Sequence, residues 1–319
     1  MEDITADLLA GRAGHGDHRR IRHVMPMSFR DYLTVSGRAL PLPPPAQLWD
    51  MQSADVREQL DVVSFLVDDY DQAWQEYLRC GGFPRAVYEH VTTGAVSPGY
   101  LRDLEAWLVA DLAQDEAPDS VPLLLNALSD RATSPLNVAK LGRDLGYGSR
   151  ELGERRITRL LSTFGAVRCP QRDDHGRAVP RAQAKCYLTD PLLAWLPSRL
   201  RAGTGEPPMP TLTEMALGTS LALALDRKQE GRFTYGDTIG YTRTESGREV
   251  DFAPVPVPTG SGTRSTTPLE GKWVSHGWRS EALVIENKYR AGILATRNIL
   301  DLTHPVWAVP APLVALLLR

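Results

Sequence analysis

Four residues in the last third of the chain, Glu214, Asp251, Glu270 and Lys272, have the types and spacing of a site for polyanion chemistry. Two carboxylates on neighbouring strands, Asp251 and Glu270, would make an oxygen-rich site for Mg²⁺ or Mn²⁺, hard cations that take few protein ligands and keep several waters. Such an ion lowers the pKa of a bound water and stabilises charge developing at phosphorus. Lys272 follows Glu270 by two positions, so on a strand it points to the same face, where it could orient the attacking water or steady an oxyanion. Glu214 lies on the preceding helix and could assist.

The elements that must position these groups are readable in order. "TLTEMALGTSLALALDR" reads as a helix, "RFTYGDTIGYTR", "REVDFAPV" and "PLEGKWV" as strands, "GWRSEALVIENKY" as an amphipathic helix and "GILATRNIL" as a buried strand, which is αβββαβ. The turn "PTGSGTRSTT" between Asp251 and Glu270 is long enough to fold their strands side by side. A helix bearing Glu, a strand bearing Asp and a strand bearing Glu-x-Lys resemble the PD-(D/E)xK nuclease superfamily. That resemblance implies a restriction-endonuclease-like fold and metal-dependent phosphodiester hydrolysis, with Glu214, Asp251, Glu270 and Lys272 as catalytic residues.

A second Glu-x-Lys, Glu286 and Lys288, competes with the first, but "SEALVIENKY" reads as helix, so Glu270 and Lys272 are preferred. The other reading of these charges is as edge-strand residues that block aggregation, or as remnants on a fold whose activity is lost. "GSGTRSTT" lacks the spacing and the Lys of a phosphate-binding loop and joins two strands instead of leading a helix, so no ATP site is found there.

Upstream, "VPLLLNALSDRA", "SPLNVAKLGRDLG" and "SRELGERRITRLLSTFG" read as three helices followed by two extended pieces around "DDHG", the pattern of a winged helix-turn-helix. Ser149 is placed to cap the third helix, whose Leu152, Ile157, Leu160, Leu161 and Phe164 turn toward a core. Ser149, Arg150, Arg155, Arg156 and Arg159 are then expected to contact nucleic acid, because this helix enters the major groove in such motifs. Arg168, Arg172, Arg177 and Arg181 along the hairpin are expected to meet phosphates. Lys140 to Lys185 holds eleven Lys/Arg against five Asp/Glu, a local +6 in a chain of net charge −3. DNA is the expected partner, and a protein-binding or purely structural winged helix is the alternative.

Charged residues at 24% and apolar residues at 42% are ordinary for a globular chain and exclude collagen-like or wholly disordered classes. The longest apolar runs fall well short of a membrane span and the N-terminus lacks a secretory pattern, so a cytoplasmic setting with no membrane partner is expected. Cys80, Cys169 and Cys186 are scattered, which indicates neither disulfide framework nor zinc knuckle. His15, His18 and His23 cluster at a spacing that matches no standard metal motif.

The Pro-rich stretches at 41–47 and 203–210 read as linkers. They divide a mixed α/β chain into 1–40, a helical lid-like segment at 41–118, the winged helix at 119–202 and the αβββαβ unit at 203–319. Beyond these motifs, "LLAGRAGHGDHRRIRHVMPMSFRDYL", "YLRCGGFPRAV", "AKCYLTDPLLAWL" and "REVDFAPV…LEGKW" fall in the order of a family of bacterial and archaeal AAA-type ATPases with a winged-helix and nuclease-like C-terminal region, and the chain resembles the C-terminal two-thirds of it. The resemblance implies that 1–40 is the end of an ATPase core. No Walker A or Walker B pattern is present, so ATPase activity does not carry over. A truncated product, a wrongly assigned start, or a stand-alone remnant working with a separate ATPase or as a homo-oligomer, is expected.

Overall fold

The computed structural model describes residues 25–113, 120–146, 149–228, 238–245 and 247–318. His15, His18 and His23, and most of the expected ATPase-core remnant, lie outside them.

Among the described residues, six α-helices make the first part: α1 Phe29–Val35, α2 Ala54–Val63, α3 Val67–Cys80, α4 Pro84–Thr93, α5 Pro98–Leu112 and α6 Ser120–Arg131. Side chains recurring at three-and-four spacing bury one face of α3, through Tyr70, Ala73, Trp74, Tyr77 and Leu78. Ser28 closes a capping box with Asp31 at the start of α1. Phe29 on α1 meets Trp74 edge to face at 4.9 Å, and the Trp74 indole donates to Thr213 Oγ1 at 3.3 Å, joining the helical half to the helix that carries Glu214.

α7 Val138–Asp144 and α8 Arg150–Ser162 follow, then an antiparallel hairpin of β1 Ala166–Pro170 and β2 Ala184–Leu188, then α9 Pro191–Leu200. The Ser149 hydroxyl accepts from the Leu152 N–H and caps α8. α10 Met209–Lys228 is buried on nearly every side, as a core helix must be. The short β3 Thr242–Arg243 and β4 Glu249–Val250 pair antiparallel. A separate hairpin of β5 Pro256–Thr259 and β6 Gly262–Ser265 precedes β7 Leu269–Gly271. α11 Trp278–Tyr289, β8 Gly292–Thr296, β9 Val306–Pro310 and α12 Ala311–Leu317 complete the chain.

The strands β7, β8 and β9 form a parallel sheet in that order. β8 and β9 are buried at every position, as expected of parallel strands covered on both faces. Beyond β7, Phe252 and Leu269 exchange backbone hydrogen bonds of 2.9 and 3.0 Å, which sets Asp251 beside Glu270. Two expectations change here. Of "RFTYGDTIGYTR", residues 232–237 lie outside the described set, and only Thr242 and Arg243 of the remainder are strand. The stretch 41–47 is not a free linker: Ala46 N–H donates to Leu317 O at 2.9 Å, Arg30 donates to Pro43 O and Leu316 O, and Tyr70 donates to Pro41 O. Pro41 and Pro43 offer only carbonyls, and the fold takes up both. Among the described residues the larger hydrophobic core draws on residues from Phe29 to Leu318, and a smaller one gathers Val250, Ile285, Leu294 and Ala308 between α11 and the sheet.

Candidate functional site

Glu214 reaches the site from α10 because that helix packs closely on the strands below it. A Cβ at Gly218 would stand 2.8 Å from Tyr187 Cδ2 and 3.1 Å from Phe252 Cε1, so only glycine permits the approach. One turn earlier, Glu214 Oε1 accepts from the Tyr187 hydroxyl at 2.8 Å. Asp251 follows β4, and Glu270 lies within β7. Glu270 Oε2 accepts the Asp251 N–H at 2.8 Å, and Asp251 Oδ2 accepts the Gly271 N–H at 3.0 Å. Lys272, just past β7, reaches back to Glu270 Oε1 at 2.8 Å. The four expected residues are therefore neighbours in space.

A fifth residue that spacing did not mark is central to them. Lys185, on β2 of the upstream hairpin and 1% exposed, places its Nζ 2.7 Å from Asp251 Oδ1, 3.0 Å from Glu214 Oε1 and 3.4 Å from Glu249 Oε2. The hairpin is brought there by a short junction in which Arg172 N–H donates to Tyr241 O at 2.7 Å and Tyr241 N–H to Pro170 O at 3.0 Å. Tyr187, two residues on and hence on the same strand face, supplies the other donor to Glu214. In "AKCYLTDPLLAWL" a lysine inside an apolar strand signals that it needs an acidic partner, but not which one.

The electrostatics follow from burial. Glu214 is raised to about 7 by desolvation and by the Asp251 charge, with Lys185 and the Tyr187 hydrogen bond pulling the other way. Glu270 is raised to about 8 by desolvation and Asp251, against the lowering by Lys272. Burial works against the charge of both lysines, yet the surrounding carboxylates outweigh it and raise Lys185 and Lys272. Glu249, also pointed at Lys185, is held by Arg243 at 2.6 Å.

This arrangement does not fit a divalent ion. The point between Glu214 and Asp251 holds an ammonium, Asp251 Oδ2 and Glu270 Oε2 accept from backbone N–H groups, and Glu270 Oε1 faces Lys272. Among the described residues no group of three or more His, Cys, Asp and Glu is set to hold a metal. The competing pair falls elsewhere: Glu286 and Lys288 are on α11, and Lys288 pairs with Asp174 at 2.7 Å.

The expected nucleic-acid contacts divide. Ser149, Arg150 and Arg155 are exposed. Arg156 is buried, because it shares a face of α8 with Gly153 and Leu160, three and four positions away, and burial lowers its pKa. Arg159 donates to the Asp111 carbonyl and so is committed inward. On the hairpin, Arg168, Arg177 and Arg181 are exposed, whereas Arg172 is buried and donates to Gly176 O and Ile239 O at 3.1 and 3.0 Å. Arg150, Arg168 and Arg181 line one groove of about 780 Å³ between α8 and the hairpin, over a floor that includes Ile157 and Leu161. Among the described residues no helix is long and apolar enough to cross a membrane.

A family model described as "Domain of unknown function (DUF8612)" matches residues 71–201. The match runs from within α3 to the end of α9; it includes Lys185 and Tyr187 and stops before Glu214. No curated protein and no solved structure matches the chain.

Proposed function

We propose that the chain is a nucleic-acid-associated protein in which residues 119–202 act as a winged helix-turn-helix on a phosphate backbone and 203–319 form a PD-(D/E)xK-like unit that acts without catalysis as folded. The observation that carries this reading is the groove lined by Arg168 and Arg181 from the hairpin and by Arg150 from α8, the last paired with Glu154 at 2.7 Å. Arg155 and Arg177 extend the exposed basic surface. Arginine forks match phosphate geometry, and each phosphate neutralised releases counterions. The resemblance to AAA-type ATPases supports a separate ATPase subunit or a second copy of the chain as a partner.

Anisotropy of a labelled duplex DNA, titrated with the full chain at several salt concentrations, tests the reading. Arg150→Ala, Arg168→Ala and Arg181→Ala together should weaken binding and make the log–log salt slope shallower by about 0.9 per lost phosphate contact. Affinity and slope both unchanged would sink it.

A further inference from the structure

Lys185 belongs to none of the elements that carry the acids, yet it is the cation at their centre. Divalent ions of this class take oxygen ligands at about 2.0–2.6 Å around a single point. The point between Asp251 Oδ1 and Glu214 Oε1 is where the ammonium stands, at 2.7 and 3.0 Å, the spacing of charge-assisted hydrogen bonds. Glu249 adds a third carboxylate charge at 3.4 Å. Two cations cannot share that point.

The lysine is also held there from outside. Lys185 pairs across the hairpin with Cys169, whose thiol lies against the Asp251 carbonyl. Tyr187 fixes Glu214 from the same strand. Lys185 and Tyr187 together tie β2 to Glu214 on α10.

We propose that Lys185 is the resident cation of the carboxylate site, standing where a divalent ion would sit and excluding Mg²⁺ and Mn²⁺ from Glu214 and Asp251. The upstream hairpin and the acidic unit are thereby locked by a built-in charge. This does not rest on the nucleic-acid reading, and its test uses no DNA.

The full chain is titrated with Mn²⁺ and followed by the loss of free-ion paramagnetic resonance signal and by thermal unfolding. Wild type should take up no Mn²⁺ at this site and keep its Tm. Lys185→Met keeps the stem and removes the charge; it should gain one Mn²⁺ per chain and a Tm rise on the order of 5 °C at a hundredfold excess over Kd. Lys185→Met with Asp251→Asn should lose both. Mn²⁺ uptake by wild type that disappears in Asp251→Asn, or a folded Lys185→Met that takes up none, would overturn the proposal. If Lys185→Met does not fold, Lys185→Gln, which removes the charge while keeping an amide donor and both carboxylates of the site, carries the same test.

Discussion

The backbone N–H of Gly82 donates to Asp190 Oδ2 at 2.7 Å, so the end of α3 and the start of α9 are closed on each other by one buried carboxylate. Its other oxygen accepts the Leu192 N–H at 2.8 Å and caps α9. The segments "YLRCGGFP" and "YLTDPLL", about a hundred residues apart, therefore meet at a single residue.

Gly81 makes the contact feasible. It has φ +73° and ψ −170°, a region essentially confined to glycine, and a Cβ there would lie 2.1 Å from Asp190 Oδ1. Gly81→Ala should destabilise the chain by about 3 kcal/mol or more, the sum of backbone strain and the displaced cap. Asp190→Asn should be milder than Asp190→Ala, because one amide oxygen still accepts one of the two N–H groups. Urea unfolding of the three variants gives the order.

Stability should fall as pH rises from about 4 to about 8. Asp190 is raised to about 7 by burial, Glu214 to about 7 and Glu270 to about 8. The folded chain therefore holds protons that the unfolded chain has released. For such groups the stability is fully present below the unfolded pKa and is lost as pH passes through the folded one. Glu270→Gln should flatten the upper part of this slope while its amide oxygen keeps the Asp251 N–H bonded. Urea midpoints at about pH 5, 7 and 8.5 check it, and a wild-type midpoint that rises over that interval would contradict the assignment.

The helices and most strands were legible because caps, glycine stops and apolar spacing agree locally, as at Ser149 and α8. Glu214, Asp251, Glu270 and Lys272 were legible as a group because a Glu-bearing helix, an Asp-bearing strand and a Glu-x-Lys strand in that order resemble the PD-(D/E)xK arrangement, which implies their neighbourhood. Lys185 was not, since its partners are 29 and 66 residues away and the hairpin's docking depends on the Tyr241 junction, which has no periodic signature. Arg156 and Arg172 were misread for one reason: an arginine count measures charge, while helix phase and strand bridging decide which guanidinium turns inward.

Arg155 and Arg156 should separate function from stability at adjacent positions. Arg155 is exposed and Arg156 buried. Arg155→Ala should weaken DNA binding and leave the urea midpoint near wild type. Arg156→Ala should lower stability by about 1–3 kcal/mol through lost packing of its stem and leave the salt dependence of binding by the remaining folded protein unchanged. Anisotropy and urea titrations on both variants decide it.

The charged joint at Lys185 should behave as one unit. Removing one partner of a buried ion pair leaves an uncompensated charge and costs about 3–5 kcal/mol, so Lys185→Met should be costly. Asp251→Asn should cost less, because Glu214 and Glu249 still face the ammonium. In the double variant the loss should be smaller than the sum of the two, with a coupling of about 1–3 kcal/mol, since Asp251 no longer leaves a carboxylate beside the neutral side chain, although Glu214 still does. Urea unfolding with unchanged m-values measures the cycle. Additive losses would mean that Lys185 is held by packing against Tyr241 and Cys169 and not by Asp251.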